Sequence, residues 1–360
     1  MTATRDLISP KSPRWSRVLE RVEHQVYHLP EYVTFDAELC AGRPLAFVYE
    51  EPGGVWLLPL IVRWVPGTDR IDAVSPYGYP GPVSDRRDEA FWERALAALL
   101  GTLAEQGVVS LFVRLDPLVD VPYRALQTVG TLVTHGPTVS IDLRLSYEAW
   151  WLQLRKYNRR TIRQALRNGW ECVVDDWSYL DDFLAVYDET MTRKGAAPAY
   201  RLERDYFERL RAALGDRAHL MLLLADGQLI DGNVMLSTGT VLQAHLAGTR
   251  TRYLPHASRL FFHEAFRWAQ LQGFEVLHLG GGVGAKEDSV LRFKQGFSLQ
   301  QHPFRSLRVV VDPGCYRRLT LMRPAGSVVD DGTGFFPSYR IPSGSPTSRG
   351  PRLDDEGARS

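Results

Sequence analysis

The chain has 360 residues, of which 44% are hydrophobic and 11% aromatic, and this length and composition predict two globular domains. Its formal net charge of +1 excludes a globally basic nucleic-acid-binding protein. Its three cysteines lie far apart, and no run of about 18 apolar residues occurs, so we expect no disulfide framework, no metal site and no membrane span. The absence of a signal-peptide pattern near the start adds the expectation of a cytoplasmic protein.

Hydrophobic periodicity predicts two α/β units in succession, followed by a tail. The first, within residues 1–145, has predicted helices at 12–27, 88–106 and 122–129, and predicted strands at 44–49, 55–64, 108–115 and 138–143. The second, within 146–312, has predicted helices at 147–168, 179–192, 203–214 and 257–272, and predicted strands at 171–174, 219–225, 228–237, 241–248, 276–279 and 306–311.

Residues 72–85 (DAVSPYGYPGPVSD) interrupt the first unit with an irregular segment, because their three prolines preclude a regular element. Tyr77 and Tyr79 lie inside it. Long irregular segments in compact domains are often functional, which makes both tyrosines candidates for substrate binding. The alternative is a rigid connector with packed tyrosines.

The predicted helix at 147–168 carries a stripe of basic residues with no acidic residue among them, at Arg155, Lys156, Arg159, Arg160, Arg163 and Arg167. On one continuous helix these six fall within about 140° of each other. A one-sided stripe indicates a polyanionic ligand such as RNA, a nucleotide-linked substrate or coenzyme A, and the alternative is a solvated face. A second basic cluster, Arg250, Arg252, His256 and Arg259, lies at the start of a later helix.

Residues 274–298 predict a strand, a glycine-rich loop at Gly280–Gly282, and a helix that carries Arg292 and Lys294 and that Asp288 or Ser289 caps. The dinucleotide fingerprint fails because no acidic residue follows at the required distance. A methyltransferase motif would open its domain, and a P-loop requires Gly-Lys-Ser/Thr. The loop is therefore interpreted as a strand-to-helix turn that shapes a cleft.

Other catalytic patterns are not indicated. His245 and His278 lie on predicted buried strands, where a hydrogen-bonded core histidine is the commoner case. No Ser/His/Asp, Cys/His or metal-ligand spacing occurs. Residues 313–360 are rich in proline, glycine, serine and charge, which predicts a mostly disordered, flexible tail. Its aromatic island at 335–340 (FFPSYR) is expected to dock on the folded body.

Three motifs in this order resemble the Fem-type aminoacyltransferases of the GNAT acyltransferase superfamily: SPYGYPGPVSD, KYNRRTIRQALRNGWE and LHLGGGVGAKEDSVLRFKQGFS. The resemblance covers roughly residues 15–311. It implies an α/β (α+β) fold of two tandem GNAT-like lobes, each a mixed, mostly antiparallel sheet flanked by helices, with a cleft between them. It also implies amide formation on an amine of a cell-wall precursor or natural-product intermediate, with charged tRNA as the donor and with no cofactor, metal or covalent enzyme intermediate.

The resemblance also assigns roles to residues. The Phe-Lys pair of the family falls on Phe293 and Lys294, where the lysine stabilises negative charge at the ester carbonyl or the leaving ribose. The Gly-Pro-x-x-Asp pattern falls on 81–85, which implies that Asp85 accepts the proton of the amine. The remaining substrate-binding candidates are Arg193, Lys194, Arg292 and His245, together with the loop tyrosines and the basic stripe.

The chain also departs from its relatives. It has no counterpart of the coiled-coil arm of staphylococcal Fem proteins, and residues 250–257 lack the glycines of the loop that holds coenzyme A in ordinary GNAT enzymes. These departures favour aminoacyl-tRNA over acyl-CoA as the donor. An acyl-CoA-dependent GNAT enzyme and a non-catalytic sugar-nucleotide or RNA-binding protein remain the alternatives.

Overall fold

Two β-sheets flanked by helices form the structure, a computed structural model that describes residues 3–196, 200–285, 287–322 and 334–341. The strands are β1 (Thr4–Ile8), β2 (Arg43–Glu51), β3 (Gly54–Trp64), β4 (Ile71–Val74), β5 (Val83–Ser84), β6 (Val108–Arg114), β7 (Thr131–Thr134), β8 (Thr138–Asp142), β9 (Glu171–Val174), β10 (Ala218–Ala225), β11 (Gln228–Thr238), β12 (Val241–Thr249), β13 (Val276–Gly280), β14 (Gln300–His302) and β15 (Arg305–Val310).

Helices cover both sheets. They are α1 (Pro13–Leu19), α2 (Pro30–Leu39), α3 (Glu89–Glu105), α4 (Tyr123–Gln127), α5 (Tyr147–Gln153), α6 (Lys156–Ala165), α7 (Leu180–Arg193), α8 (Arg204–Leu214), α9 (His256–Leu271), α10 (Ser289–Lys294) and α11 (Pro313–Leu321). Asp88 and Asp288 cap α3 and α10 by accepting backbone N–H bonds, and Gly169 takes the left-handed conformation (φ 66°) that ends the basic segment. None of these helices combines the length and apolar character that crossing a bilayer requires.

The first sheet runs β1-β2-β3-β4-β6-β15-β7, with β5 added to β3, and the second runs β14-β8-β13-β12-β11-β10-β9. All pairs are antiparallel except β4–β6 and β12–β13, so the predicted mixed, mostly antiparallel architecture is confirmed. The sheets exchange strands across the expected lobe boundary at residue 145: β8 belongs to the second sheet and β15 to the first. The boundary itself stays a prediction.

One apolar core joins the two halves. Helix α2 contributes Tyr32 and Phe35, and α7 and α8 contribute Phe183 and Phe207, all of them buried in a single cluster. The rings of Phe35 and of the α8 residue Tyr206 meet edge to face, with centroids 5.2 Å apart. The surface of the first lobe is therefore packed against the second rather than separated from it by solvent.

Two helix predictions are wrong in their extent. The helix expected at 12–27 ends at Leu19, and α2 was not expected. The helix expected at 147–168 breaks at Leu154 and Arg155, whose ψ angles of 138° and 142° are extended. Leu154 is buried there, and the backbone N–H of Arg155 donates to the Gly296 carbonyl at 3.0 Å, so tertiary contacts outweigh local helix propensity.

The C-terminal aromatic island docks on the first sheet, as expected. The Tyr339 hydroxyl lies 2.7 Å from Ser110 Oγ and 3.2 Å from a carboxylate oxygen of Asp72, which is fully buried. Arg340 pairs with the same carboxylate and donates to the Trp64 carbonyl at 2.7 Å. The predicted disorder is wrong for residues 313–321, which form α11, while residues 323–333 and 342–360 lie outside the described part of the chain.

Removing the Arg340 side chain should destabilise the protein. The buried Asp72 carboxylate would then keep Arg63 as its one cationic partner among the described residues, so we expect Arg340→Ala to lower the free energy of unfolding by about 1–3 kcal/mol. Chemical denaturation measures this value. The exposed pair Arg5–Glu105 supplies the control, because Arg5→Ala should cost less than about 1 kcal/mol. Equal effects of both substitutions would contradict the docking.

Candidate functional site

The second sheet splits in its middle, between β12 and β13. These parallel strands pair only over Val241–Gln243 and Val276–His278. Beyond this point β12 is partly open to solvent although it is an inner strand, and Ala247 is exposed. His245 is a bulge residue without a partner on β11, because its neighbours Ala244 and Leu246 pair with consecutive β11 residues. The split therefore forms a cleft lined by polar groups.

Lys294 lies at this split. Its Nζ donates to the Gly281 carbonyl at 2.7 Å. A Cβ built on Gly280, whose φ is 72°, would lie 3.5 Å from both Lys294 Nζ and Tyr79 Oη and 4.0 Å from Gln243 Nε2. Three polar groups, one of them from the first lobe, thus converge on a glycine whose backbone has no side chain in the way.

The ammonium group of Lys294 is destabilised by its surroundings. Burial and, to a smaller extent, the charge of nearby Lys194 lower its pKa to about 8, against the opposing effect of Asp288. Burial, with a contribution from Arg193, also lowers the pKa of Lys194. Lys294 therefore remains mostly protonated at neutral pH and loses its charge as the pH rises past about 8.

His278 lies beneath this point as a neutral hydrogen-bond acceptor. Gln243 donates its Nε2 to the Ala244 carbonyl, which leaves Gln243 Oε1 to accept from His278 Nδ1. The proton is thereby assigned to Nδ1, and Nε2 is a buried acceptor without a partner among the described residues. Burial lowers the pKa of His278 to about 3. The expectation of a hydrogen-bonded core histidine is therefore correct for Nδ1, and Nε2 has no such bond among the described residues.

Tyr79 lies near Lys294, and the charge of a buried carboxylate, Asp116, acts on its hydroxyl. The Tyr79 ring meets His278 and Phe304 edge to face, both at 5.3 Å, and burial raises the pKa of its hydroxyl, with smaller contributions that include the charge of Asp116. One oxygen of Asp116 accepts from the Leu118 N–H, and the other is buried without a hydrogen-bond partner in the described structure. Burial raises the pKa of Asp116 to about 7.

Asp116 and Gln243 were not identified from the sequence. Asp116 follows directly after the buried strand β6, and a carboxylate at the end of a strand is a signal that could have been used. No sequence pattern indicated Gln243. Its contact with His278 depends on the point at which β12 stops pairing with β13.

Asp85 occupies a different environment. One of its oxygens accepts from the Val55 N–H at 2.8 Å, and the other pairs with Arg21. No contact in the described ranges joins Asp85 to Lys294. Its carboxylate anchors β5 to β3, so its assignment as proton acceptor stays a prediction that the geometry favours less than Asp116.

The other aromatic and histidine candidates surround an opening next to the split. Tyr77 and His245 meet edge to face at 6.2 Å, and the Tyr206 hydroxyl lies 3.1 Å from His245 Nε2. Burial lowers the pKa of His245 to about 4, so it is neutral at physiological pH. Phe293 instead packs on Phe262 and Phe297 in the second core.

The basic stripe forms an exposed face on α6. Lys156, Arg159, Arg160 and Arg163 lie opposite the buried residues of this helix. Arg155 lies at the break before α6, and Arg167 lies in the short 3₁₀ helix after it, so both flank α6. The Arg155 guanidinium donates to the Arg292 carbonyl at 3.2 Å and links this face to α10, the helix that carries Lys294.

The remaining basic candidates have protein partners. Arg193 donates to the Thr249 carbonyl at 3.0 Å and to Thr251 Oγ1 at 2.6 Å, at the loop that follows β12. In the second basic cluster, Arg250 pairs with Glu189, and Arg259 donates to Asn158 Oδ1. These arginines therefore hold the rim of the cleft in place.

Comparison with known proteins identifies this architecture. Residues 153–295 match the family model described as an acetyltransferase (GNAT) domain. A crystal structure of FemX superposes with a TM-score of 0.69 at 13% sequence identity, over 88% of this chain and 99% of that chain. No curated protein matches this chain at a significant level.

Two further solved structures share the fold. One is the C-terminal domain of a putative lysylphosphatidylglycerol synthetase from Agrobacterium fabrum, with a TM-score of 0.53 and 13% identity over 86% of this chain and 94% of that one. The other is L-PGS from Bacillus licheniformis, with a TM-score of 0.53 and 14% identity over 83% and 92%. The predicted Fem-like fold is confirmed, and with the domain match it supports the prediction of an acyltransferase.

The hydrogen bond between Gln243 and His278 predicts the state of the histidine. In imidazole ¹⁵N NMR spectra of the full chain, His278 should keep its proton on Nδ1 and stay neutral throughout the pH range in which the protein is folded, because burial lowers its pKa to about 3. Gln243→Leu should change the tautomer signature. The control Gln295→Leu, which alters an exposed amide pair, should not. Titration of His278 near the ordinary value of about 6.5 would refute the assignment.

Proposed function

Because residues 153–295 match an acetyltransferase (GNAT) domain and the fold is that of FemX, we propose that the chain is an acyltransferase that forms an amide bond by transferring an aminoacyl group from charged tRNA to an amine acceptor. The observation that carries this proposal is the position of Lys294 at the split between β12 and β13, on a helix linked to the basic face of α6. The acceptor belongs to a cell-wall precursor or a natural-product intermediate, as the Fem-type resemblance implies. A charged-tRNA donor also places the reaction in the cytoplasm.

In this reaction the acceptor nitrogen attacks the ester carbonyl carbon of the donor. The new C–N bond forms as the C–O bond to the ribose breaks, and the ribose oxygen leaves as a hydroxyl after the proton released by the amine has passed to it. The Lys294 ammonium stabilises the negative charge that develops on the carbonyl or ribose oxygen, an interaction worth roughly 3–4 kcal/mol in a desolvated site. The ester is expected to approach this ammonium beside Gly280, where the Tyr79 hydroxyl also lies.

The proton of the amine goes to Asp116 in this proposal. One of its oxygens is buried without a hydrogen-bond partner among the described residues, and its charge acts on the nearby Tyr79 hydroxyl. A pKa of about 7 suits a general base at neutral pH. No covalent enzyme intermediate is required, because the amine attacks the donor directly. Asp85 is the weaker candidate, since both of its oxygens already have protein partners.

The basic face of α6 supports tRNA as the donor. Its exposed cations lie on one side of α6, which carries no acidic residue, and phosphate contacts of this kind give affinity that falls steeply with salt. The glycine-free loop between β12 and α9 argues in the same direction against a coenzyme A pyrophosphate.

The donor is tested by turnover of an amine acceptor with charged tRNA, with and without RNase treatment. We expect product only with intact charged tRNA, and we expect Arg160→Ala with Arg163→Ala to weaken tRNA binding about 3- to 30-fold and to flatten its salt dependence. The matched control is Arg5→Ala with Arg70→Ala, exposed arginines outside α6. Turnover that survives RNase would overturn the tRNA donor.

A second candidate donor is an acyl-CoA thioester. A cavity of about 730 Å³ lies beside the loop before α9 and is lined by Arg250, Thr251, Arg252 and Tyr253 among others. Arginine side chains before a helix are suited to an anionic group, and here Glu189 already accepts from Arg250 and from the Thr251 N–H. Turnover with acetyl-CoA and none with charged tRNA would select this alternative.

Lys294 and Asp116 together predict a narrow bell-shaped pH dependence of turnover. The rate should rise as Asp116 loses its proton near pH 7 and fall as Lys294 loses its proton near pH 8. Lys294→Ala should lower kcat by about 100- to 1000-fold. Asp116→Asn, which keeps the bond from Leu118, should lower it about 100-fold and remove the acidic limb. Full activity of the Lys294 variant would refute the mechanism.

A further inference from the structure

A cluster of aromatic side chains lies between the two lobes, and its member Tyr79 approaches Lys294. We call it the tyrosine pocket, and its accessible lining is Tyr77, Tyr79, Tyr200, Tyr206 and His245. Tyr77 is 46% exposed and Tyr200 45%, so both residues present aromatic surface to solvent beside the other members of this cluster. The other three are half-buried.

Buried rings support this lining. Tyr27 lies 6.0 Å from Tyr79 and 6.4 Å from His245, measured between ring centroids. The Tyr187 hydroxyl donates to the Tyr200 carbonyl at 2.8 Å, and the Tyr32 hydroxyl donates to the Tyr77 carbonyl at 3.1 Å. The pocket wall is thus held by packing and hydrogen bonds from both lobes, and Tyr79 makes it continuous with the Lys294 site.

The charges around the pocket disfavour a cationic occupant. The Arg114 guanidinium lies 5.9 Å from the centre of the Tyr77 ring and so already occupies one face of this aromatic group. The Asp36 carboxylate accepts from the Tyr77 backbone N–H at 2.8 Å, and its charge is offset by Arg114. Lys294 adds a further positive charge at the inner end. A ligand with a second ammonium group would meet these cations, because the Asp116 carboxylate receives the proton of the reactive amine in the proposed function.

The pocket and the basic face of α6 lie on opposite faces of the second sheet. On β10, Leu220 and Leu222 belong to the core shared with α7 and α8, whereas Met221 and Leu223 belong to the core shared with α6 and α9. The tyrosine pocket is on the first side, where Tyr206 lies on α8. A donor bound on the basic side and an acceptor bound on the other side would meet at the strand split.

We infer that the tyrosine pocket holds the amine acceptor, and that this acceptor carries a flat aromatic body and no second positive charge. The inference rests on the proposed function for its assignment of the pocket to the nucleophile. The reactive amine reaches the split past Tyr79, while the aromatic body stacks on Tyr77 and Tyr200.

Binding of small amines to the full chain without any donor tests this inference. Phenethylamine, pentylamine and cadaverine share a primary amine and differ in the aromatic ring and the second charge. In isothermal titration calorimetry we expect phenethylamine to bind about 5- to 10-fold more tightly than pentylamine, and cadaverine to bind most weakly. Equal affinities, or a preference for cadaverine, would overturn the inference.

Variants locate the binding. Tyr77→Leu and Tyr200→Leu should each remove most of the preference for phenethylamine, whereas Tyr77→Phe should retain it. Trp64→Leu, at an aromatic side chain that is 67% exposed outside the pocket, should leave the affinity unchanged. Retained preference in both leucine variants would refute the site. The binding measurement needs no turnover, so it still tests the tyrosine pocket if the tRNA assay fails. The tRNA assay likewise still tests the donor if the binding measurement fails.

Discussion

The separation of β12 from β13 after three paired residues is the constraint on which the site depends. A continuous parallel pair would fill the middle of the second sheet with ladder hydrogen bonds and leave no room for a substrate. Instead, Gln243 and His278 close the paired part, and Gly280 turns the chain away with a positive φ. Lys294, Tyr79 and the bulge at His245 take their positions from this opening.

Burial at the opening shifts two ionisable groups of opposite kind towards neutral pH. The same loss of solvent raises the pKa of the Asp116 carboxyl and lowers that of the Lys294 amine. An acid and a base with such similar pKa values can exchange protons with substrate at little cost in free energy. The tyrosines between the two groups stay neutral, because the same burial raises their pKa values.

Local signals in the sequence predicted the elements that local chemistry determines. Helix α3 lies within the helix predicted at 88–106, strands β2 and β3 cover the strands predicted at 44–49 and 55–64, and Lys294 follows the glycine loop on a short helix. The break before α6 could not be predicted, because a buried Leu154 and a bond to Gly296 cause it. Asp116 was not predicted for a similar reason, because burial by distant segments raises its pKa. The Asp85 motif, in contrast, is a local pattern in the sequence.

The exchange of β8 and β15 between the sheets has a consequence for biosynthesis. Val309 pairs with Leu111, and β15 lies between β6 and β7 inside the first sheet. During translation, β6 and β7 therefore emerge from the ribosome long before the strand that joins them, and the first sheet closes only after the whole second half has been made. Contacts of such sequence separation slow folding. Until β15 has been made, the edges of β6 and β7 that will face it stay unpaired. Such exposed edges can pair with other chains, and chaperones protect them.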